Sequence, residues 1–152
     1  MTILSGQTIR RLRILEPCRE QYQEATFSGG LGPAGYDLAL DIGNDTLLRR
    51  VAPGEFLLVA AKECFSMPDN VVGVVHDKSS WARRGLTVQN TIIEPGWFGH
   101  LTLELTNHSD TEIVLFQGWP IAQVVFHYTD ERVERPYRGK YQGQAPGPQG
   151  PR

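Results

Sequence analysis

The feature that most constrains this chain is a succession of short, β-rich runs closed off by turn residues, with almost no helical periodicity. His100 to Asn107 (HLTLELTN) alternates cleanly, placing Leu101, Leu103 and Leu105 on one face and Thr102, Glu104 and Thr106 on the other. Glu55 to Ala61 and Val71 to Val75 are apolar or β-branched runs bounded by Pro53-Gly54 and Pro68-Asp69. Tyr36 to Leu40 alternates as well, and Pro120 to Tyr128 follows a turn at Gln117-Gly118. Many short strands with regular turns fold as a sandwich or barrel, so the expected class is all-β. The exception is the start, where Ser5 suits the cap of a short helix through Ile9, Arg10 and Leu12. Gly29, Gly30, Gly32, Pro33 and Gly35 read as a loop.

The 152 residues suffice for one domain with a real core. Residues 1–134 form the expected β-barrel body. From 135 to 152 the chain turns to Gly, Pro and Gln (PYRGKYQGQAPGPQGPR), which alone buries little and is expected to be flexible. Tyr137, Lys140, Tyr141 and Gln144 equip that segment to stack and hydrogen-bond, so it reads either as a lid or as a frayed tail. A formal charge of −2 argues against a nucleic-acid partner, whereas a small anion needs only a local basic cluster. No apolar run has the length of a membrane span, and no secretion signal opens the chain, so a cytoplasmic protein without a membrane partner is expected. Cys18 and Cys64 lie far apart with no C-x-x-C, so neither a disulfide framework nor a bound zinc is expected. The H-x-E and C-x-x-C signature of zinc-dependent deaminases is absent, and any deamination by this chain must be zinc-free.

Three stretches carry polar chemistry. His76 to Gly85 (HDKSSWARRG) gathers Lys78, Arg83 and Arg84 beside the hydroxyls of Ser79 and Ser80. It suits either phosphate oxygens or a capped, solvated turn. Val88 to Trp97 (VQNTIIEPGW) brackets the polar tip Gln89-Asn90-Thr91 with apolar residues, as in a hairpin whose backbone reads a base edge. Glu94 follows as a carboxylate able to orient water, or as a surface acid in a Glu-Pro-Gly turn. Glu104 sits mid-strand, where an acid has low β propensity; facing solvent it is inert, and facing a cleft it suits proton transfer.

Taken together, Lys78-Ser79-Ser80-Trp81-Ala82-Arg83, Glu94-Pro95-Gly96-Trp97-x-Gly99, Leu103-Glu104 and Gly139-Lys140-Tyr141-Gln142-x-Gln144 resemble the motifs of the dCTP deaminase branch of the dUTPase-like superfamily, in the same order. Gly35-Tyr36-Asp37-Leu38-x-Leu40 resembles that branch too. The resemblance implies a distorted jelly-roll β-barrel of the dUTPase-like type, assembled as a homotrimer with active sites at subunit interfaces. It implies a deoxynucleoside triphosphate substrate with Mg²⁺ bound mainly through the triphosphate. The implied reaction is hydrolytic deamination of dCTP to dUTP and ammonia. Glu104 would shuttle the proton, Ser79 would place the water and Arg83 would steady the site. Substrate contacts would come from Lys78, Ser80, Gln89, Asn90, Thr91 and Ile92, and Trp97 would pack near the deoxyribose. Lys140, Tyr141 and Gln144 would bind phosphates or close the lid.

One departure bears on the reaction. The segment from Gly85 to Glu94 is about two residues shorter than is usual in that branch and lacks its Thr-Ala pair, since Thr91 is followed by Ile92. The shorter form is similar to that of some dUTPases, in which the acid at the place of Glu94 orients the water attacking the α-phosphate. The alternatives are therefore a dUTPase, a bifunctional enzyme taking dCTP to dUMP and pyrophosphate, a modified pyrimidine as substrate, or a non-catalytic nucleotide-sensing trimer.

Overall fold

The computed structural model describes residues 2–43 and 45–152. A short helix α1 (Gly6–Leu12) opens the fold. Ser5 precedes it in an extended conformation, but its hydroxyl meets that of Thr8 at 3.2 Å and makes no side-chain cap bond to the helix. The chain then runs through β1 (Leu15–Glu16), β2 (Tyr22–Glu24), β3 (Phe27–Leu31), β4 (Tyr36–Asp41), β5 (Leu48–Val51), β6 (Phe56–Ser66) and β7 (Val71–Asp77). A single helical turn, α2 (Ser79–Ala82), leads to β8 (Leu86–Val88) and β9 (Ile92–Ile93). The body closes with β10 (Phe98–Asn107), β11 (Ile113–Phe116) and β12 (Pro120–Tyr128).

Ten strands form one antiparallel sheet whose main path is β8-β10-β6-β4-β12-β7-β9, while β11 and β5 pair separately. Residues 89–91 alone join β8 to β9, the two ends of that path. A sheet whose outer strands are tied by so short a link cannot lie flat. It curls, and the right-handed twist of the strands carries the curl into a half-barrel. Leu38, Leu40, Phe65, Leu103, Leu105, Ile121, Val124 and Phe126 are fully buried inside it. Each such side chain contributes about 1.5–3 kcal/mol on burial.

The expected Gly-rich loop is partly strand. Gly29 and Gly30 belong to β3, which pairs with β2 and β4. A Cβ at Gly29 would stand 2.4 Å from the Tyr22 ring, so the glycine admits a close approach between strands rather than marking a turn. Glu63, inside the long strand β6, is 1% exposed, and both its carboxylate oxygens accept the Ala39 N–H, at 3.2 and 3.1 Å. Burial pushes its carboxyl up to about 7 against the opposing pull of backbone amides and the Tyr36 hydroxyl.

Candidate active site

Strand β10 builds the floor of the main cavity, of about 520 Å³. A β-bulge between His100 and Thr102 breaks the two-residue alternation, so Leu101 lines the cavity together with Thr102 and Glu104. Beyond the bulge the expected alternation holds: Leu103 and Leu105 are buried in the core and Glu104 is half-buried at the cavity. Phe56 and Leu58, from the start of β6, supply an apolar side.

The run from Asn90 to Glu94 forms a second wall. It is not a paired hairpin, because β8 pairs with β10 whereas β9 pairs with β7. The chain therefore crosses from one end of the curled sheet to the other. This crossing presents Asn90, Thr91, Ile92 and Glu94 to the cavity. Gln89 is not among the lining residues: its N–H donates to the Glu104 carbonyl at 2.8 Å, and its side chain accepts from the Thr106 hydroxyl.

The third wall comes from the tail, which lies against the barrel. The Trp97 indole N–H donates to the Tyr141 carbonyl at 2.8 Å, and the Phe98 N–H to the Gln142 side chain at 2.9 Å. Gly99 bridges in parallel to Gln144, with Gly143 N–H to Phe98 O at 2.9 Å and His100 N–H to Gln144 O at 3.0 Å. Gly99 has φ +134°, and a Cβ there would sit 2.6 Å from the Gln144 nitrogen. Only glycine fits that contact. Gln144 is 8% exposed, and Tyr137, Tyr141 and Gln144 all line the cavity. Farther on, the Gln149 N–H donates to the Thr102 hydroxyl at 3.0 Å, bringing Gln149 and Pro151 into the cavity as well. Lys140 is exposed, bonded to the Arg152 carbonyl at 2.6 Å, and lies outside the lining.

The basic motif lies elsewhere. Trp81 pins α2 to the body: its ring stacks on Phe27 with centroids 4.5 Å apart, and its indole N–H donates to the Pro120 carbonyl at 2.7 Å. Lys78 is buried, with Nζ donating to Asp37 at 2.7 Å and to the Ser28 hydroxyl at 3.3 Å. Its charge is thereby engaged within the chain, and removing one partner of such a pair strands the other. Ser79 and Arg83 are exposed and Ser80 half-buried, and none of them lines the cavity. Among the described residues, no group of three or more His, Cys, Asp or Glu is arranged to hold a metal ion.

The cavity residues that sequence reasoning missed are mainly apolar or tail-borne: Phe56, Leu58, Leu101, Gln149 and Pro151. Nothing local marks Phe56 or Leu58, because the first half of β6, from Phe56 to Ala61, is apolar throughout. The bulge that turns Leu101 has no residue signature of its own.

A curled antiparallel sheet with an acid on the long strand next to one end and a tail over its cavity matches a dUTPase-like fold, and comparison with solved structures agrees. The Agrobacterium tumefaciens 2'-deoxycytidine 5'-triphosphate deaminase superposes with a TM-score of 0.66 at 20% identity, over 84% of this chain and 48% of that one. The EIAV dUTPase superposes with a TM-score of 0.60 at 20% identity, over 84% of this chain and 97% of the other. The family model described as dCTP deaminase-like matches residues 44–129. The dCTP deaminase of Thermococcus sibiricus is 32% identical over 153 residues, covering 93% of this chain and 92% of that protein. This chain belongs to the dCTP deaminase-like family. It is also 45% identical over 98 residues to the dUMP-forming dCTP deaminase of Methanosphaerula palustris, a match over 60% of this chain and 52% of that relative. The chain thus spans about half the length of several curated relatives. Among the described residues no helix is long and apolar enough to cross a membrane.

Proposed function

We propose that this chain catalyses the zinc-independent, hydrolytic deamination of dCTP to dUTP and ammonia, in the cytoplasmic deoxynucleotide pool and as a homotrimer. The observation that carries the reading is Glu104, a mid-strand acid opening into a cavity next to the backbone of residues 90–92. In this reading the water oxygen bonds to C4 of cytosine while Glu104 takes one of its protons and returns it to the base. The second water proton passes from the C4 hydroxyl to N4, the C4–N4 bond breaks, and ammonia leaves as the C4 carbonyl forms. Thr91 and Ile92 read the base edge, Trp97 and Tyr141 pack against the sugar, and Gln144 holds the tail across the ligand. Magnesium arrives with the substrate, its ligands drawn chiefly from phosphate oxygens. The cavity offers separate carboxylates rather than a cage, which suits such a phosphate-borne ion.

Ser79 and Arg83, exposed on a turn held rigid by Trp81, would enter a neighbouring subunit's cavity. That placement supports a site shared between subunits, in which Ser79 positions the water and Arg83 steadies the developing charge.

A second reading, dCTP to dUMP and pyrophosphate, is favoured by one observation: Glu94 and Glu104 line the same cavity. Glu94 would then orient the water that attacks the α-phosphate. Incubation with dCTP and with dUTP, each with Mg²⁺, resolves the two when ammonia and pyrophosphate are measured separately. Ammonia with dUTP from dCTP is the expected result. Pyrophosphate with dUMP from dCTP selects the second reading, and failure to release ammonia from dCTP overturns both.

A further inference from the structure

Strand β8 leaves β10 abruptly. Leu105↔Val88 and Thr106↔Thr87 are paired, and the Gln89 N–H still reaches the Glu104 carbonyl at 2.8 Å. In a continuing antiparallel ladder the Glu104 N–H would return to the Gln89 carbonyl, and the Thr102 carbonyl would accept the N–H of residue 91. Neither bond forms. Instead the Glu104 N–H donates to Asn90 Oδ1 at 3.0 Å, and Asn90 Nδ2 donates to the Thr102 carbonyl at 2.7 Å. One carboxamide therefore stands in for two ladder bonds, with donor and acceptor each matched to its backbone partner.

Two effects follow from this substitution. Glu104 keeps both its backbone groups fixed although the neighbouring strand has departed, so its Cα–Cβ direction into the cavity is set. The main chain of residues 90–92, relieved of pairing with β10, is left to face the cavity, where Asn90, Thr91 and Ile92 all appear. We propose that Asn90 is a positioning residue for Glu104, with its side chain committed to β10 rather than to a substrate base. The reading of Glu104 as proton carrier is that of the proposed function, on which the kinetic half of this inference rests.

Hydrogen exchange and kinetics test the two halves separately, using the full chain and the Asn90→Ala and Asn90→Asp variants. Asp keeps the acceptor for the Glu104 N–H but loses the donor to Thr102; Ala loses both. The Glu104 N–H is expected to exchange at least tenfold faster in Asn90→Ala, with a smaller change in Asn90→Asp. The Leu103 and Leu105 amides, which face β6, should be unaffected in both. With dCTP and Mg²⁺, kcat should fall about 30-fold in Asn90→Ala and less in Asn90→Asp, while KM stays within about threefold. Unchanged exchange at Glu104 overturns the positioning role, as does a loss expressed only in KM. If the wild-type protein turns over neither dCTP nor dUTP, the proposed function fails, and the exchange result alone decides what Asn90 holds.

Discussion

The wall around Glu104 and the turn around Ser79 are built on opposite plans. At the wall, hydrogen bonds to the backbone do the fixing and side chains supply an acid to a cavity: Glu104 is tied through Gln89 and Asn90, and Glu94 lies along the same crossing. At the turn, aromatic burial does the fixing. Trp81 is locked between Phe27 and the Pro120 carbonyl, Lys78 is spent on Asp37, and Ser79 and Arg83 are left exposed. The wall has its own cavity, whereas the hollow beside the turn, under Trp81 and Arg84, is lined by neither Ser79 nor Arg83. Closeness in sequence, with ten residues between Arg83 and Glu94, does not bring the cationic group to the acids. Under the trimer proposed above, the same two regions meet across an interface.

The largest expected effect tests the wall. Glu104→Gln preserves size but removes the proton acceptor, so ammonia release from dCTP should fall by roughly 10²-fold or more, with nucleotide binding retained. Full activity of this variant toward dCTP would remove Glu104 from the chemistry. Arg83→Ala tests the turn, and a loss of about ten- to a hundredfold in kcat/KM is expected for one charge-assisted contact. Co-refolding equal amounts of Glu104→Gln and Arg83→Ala chains sharpens the comparison. Sites shared between neighbours should recover about a quarter of wild-type activity, the fraction of random interfaces in which both groups survive. No recovery would place Arg83 and Glu104 in the same subunit's site.

Truncation after Pro136 removes the third wall. We expect kcat/KM to fall about tenfold and Tm by about 3 °C, because the lost tail contributes hydrogen bonds at Trp97, Phe98 and His100 but little apolar core. Kinetics unaltered by this cut would show the tail to be idle in turnover.

The smallest effect on turnover is expected far from both regions. The folded Glu63 carboxyl titrates near 7, above its ordinary 4.5, so between those values the folded chain holds a proton that the unfolded chain has released. Its contribution to stability is complete below about 4.5 and is lost as pH rises through about 7, on the order of 3 kcal/mol in all. Glu63→Gln should flatten the dependence of Tm on pH across that window and raise Tm at pH 8, with activity near wild type. An unaltered pH profile would show that Glu63 is not the group responsible.

Much of the fold was legible because strands announce themselves by alternation and turns by Pro and Gly. β12 spans the expected Pro120–Tyr128, and β7 and β10 fall where their runs do. Gly29 and Gly30 misled because glycine serves both turns and close strand contacts, and only the position of Tyr22 for the first, and of the Arg19 and Glu20 carbonyls for the second, tells them apart. The run from Val88 to Trp97 resembles a hairpin in sequence, yet pairing partners are long-range facts, and both of its short strands find theirs elsewhere. The acid of Glu104 stood out by its poor fit to a strand. The engagement of Lys78 did not, since nothing near it in sequence foretells Asp37.

Gly99 places the hold on the tail within the barrel itself. The surface that receives Gln144 exists because one strand residue has no side chain, so the seat of the tail is encoded some forty positions upstream of the tail. A change such as Gly99→Ala would spoil that seat while leaving every tail residue intact. The grip on the tail and the groups the tail presents to the cavity are thus set by separate residues, one on the strand and the others on the tail.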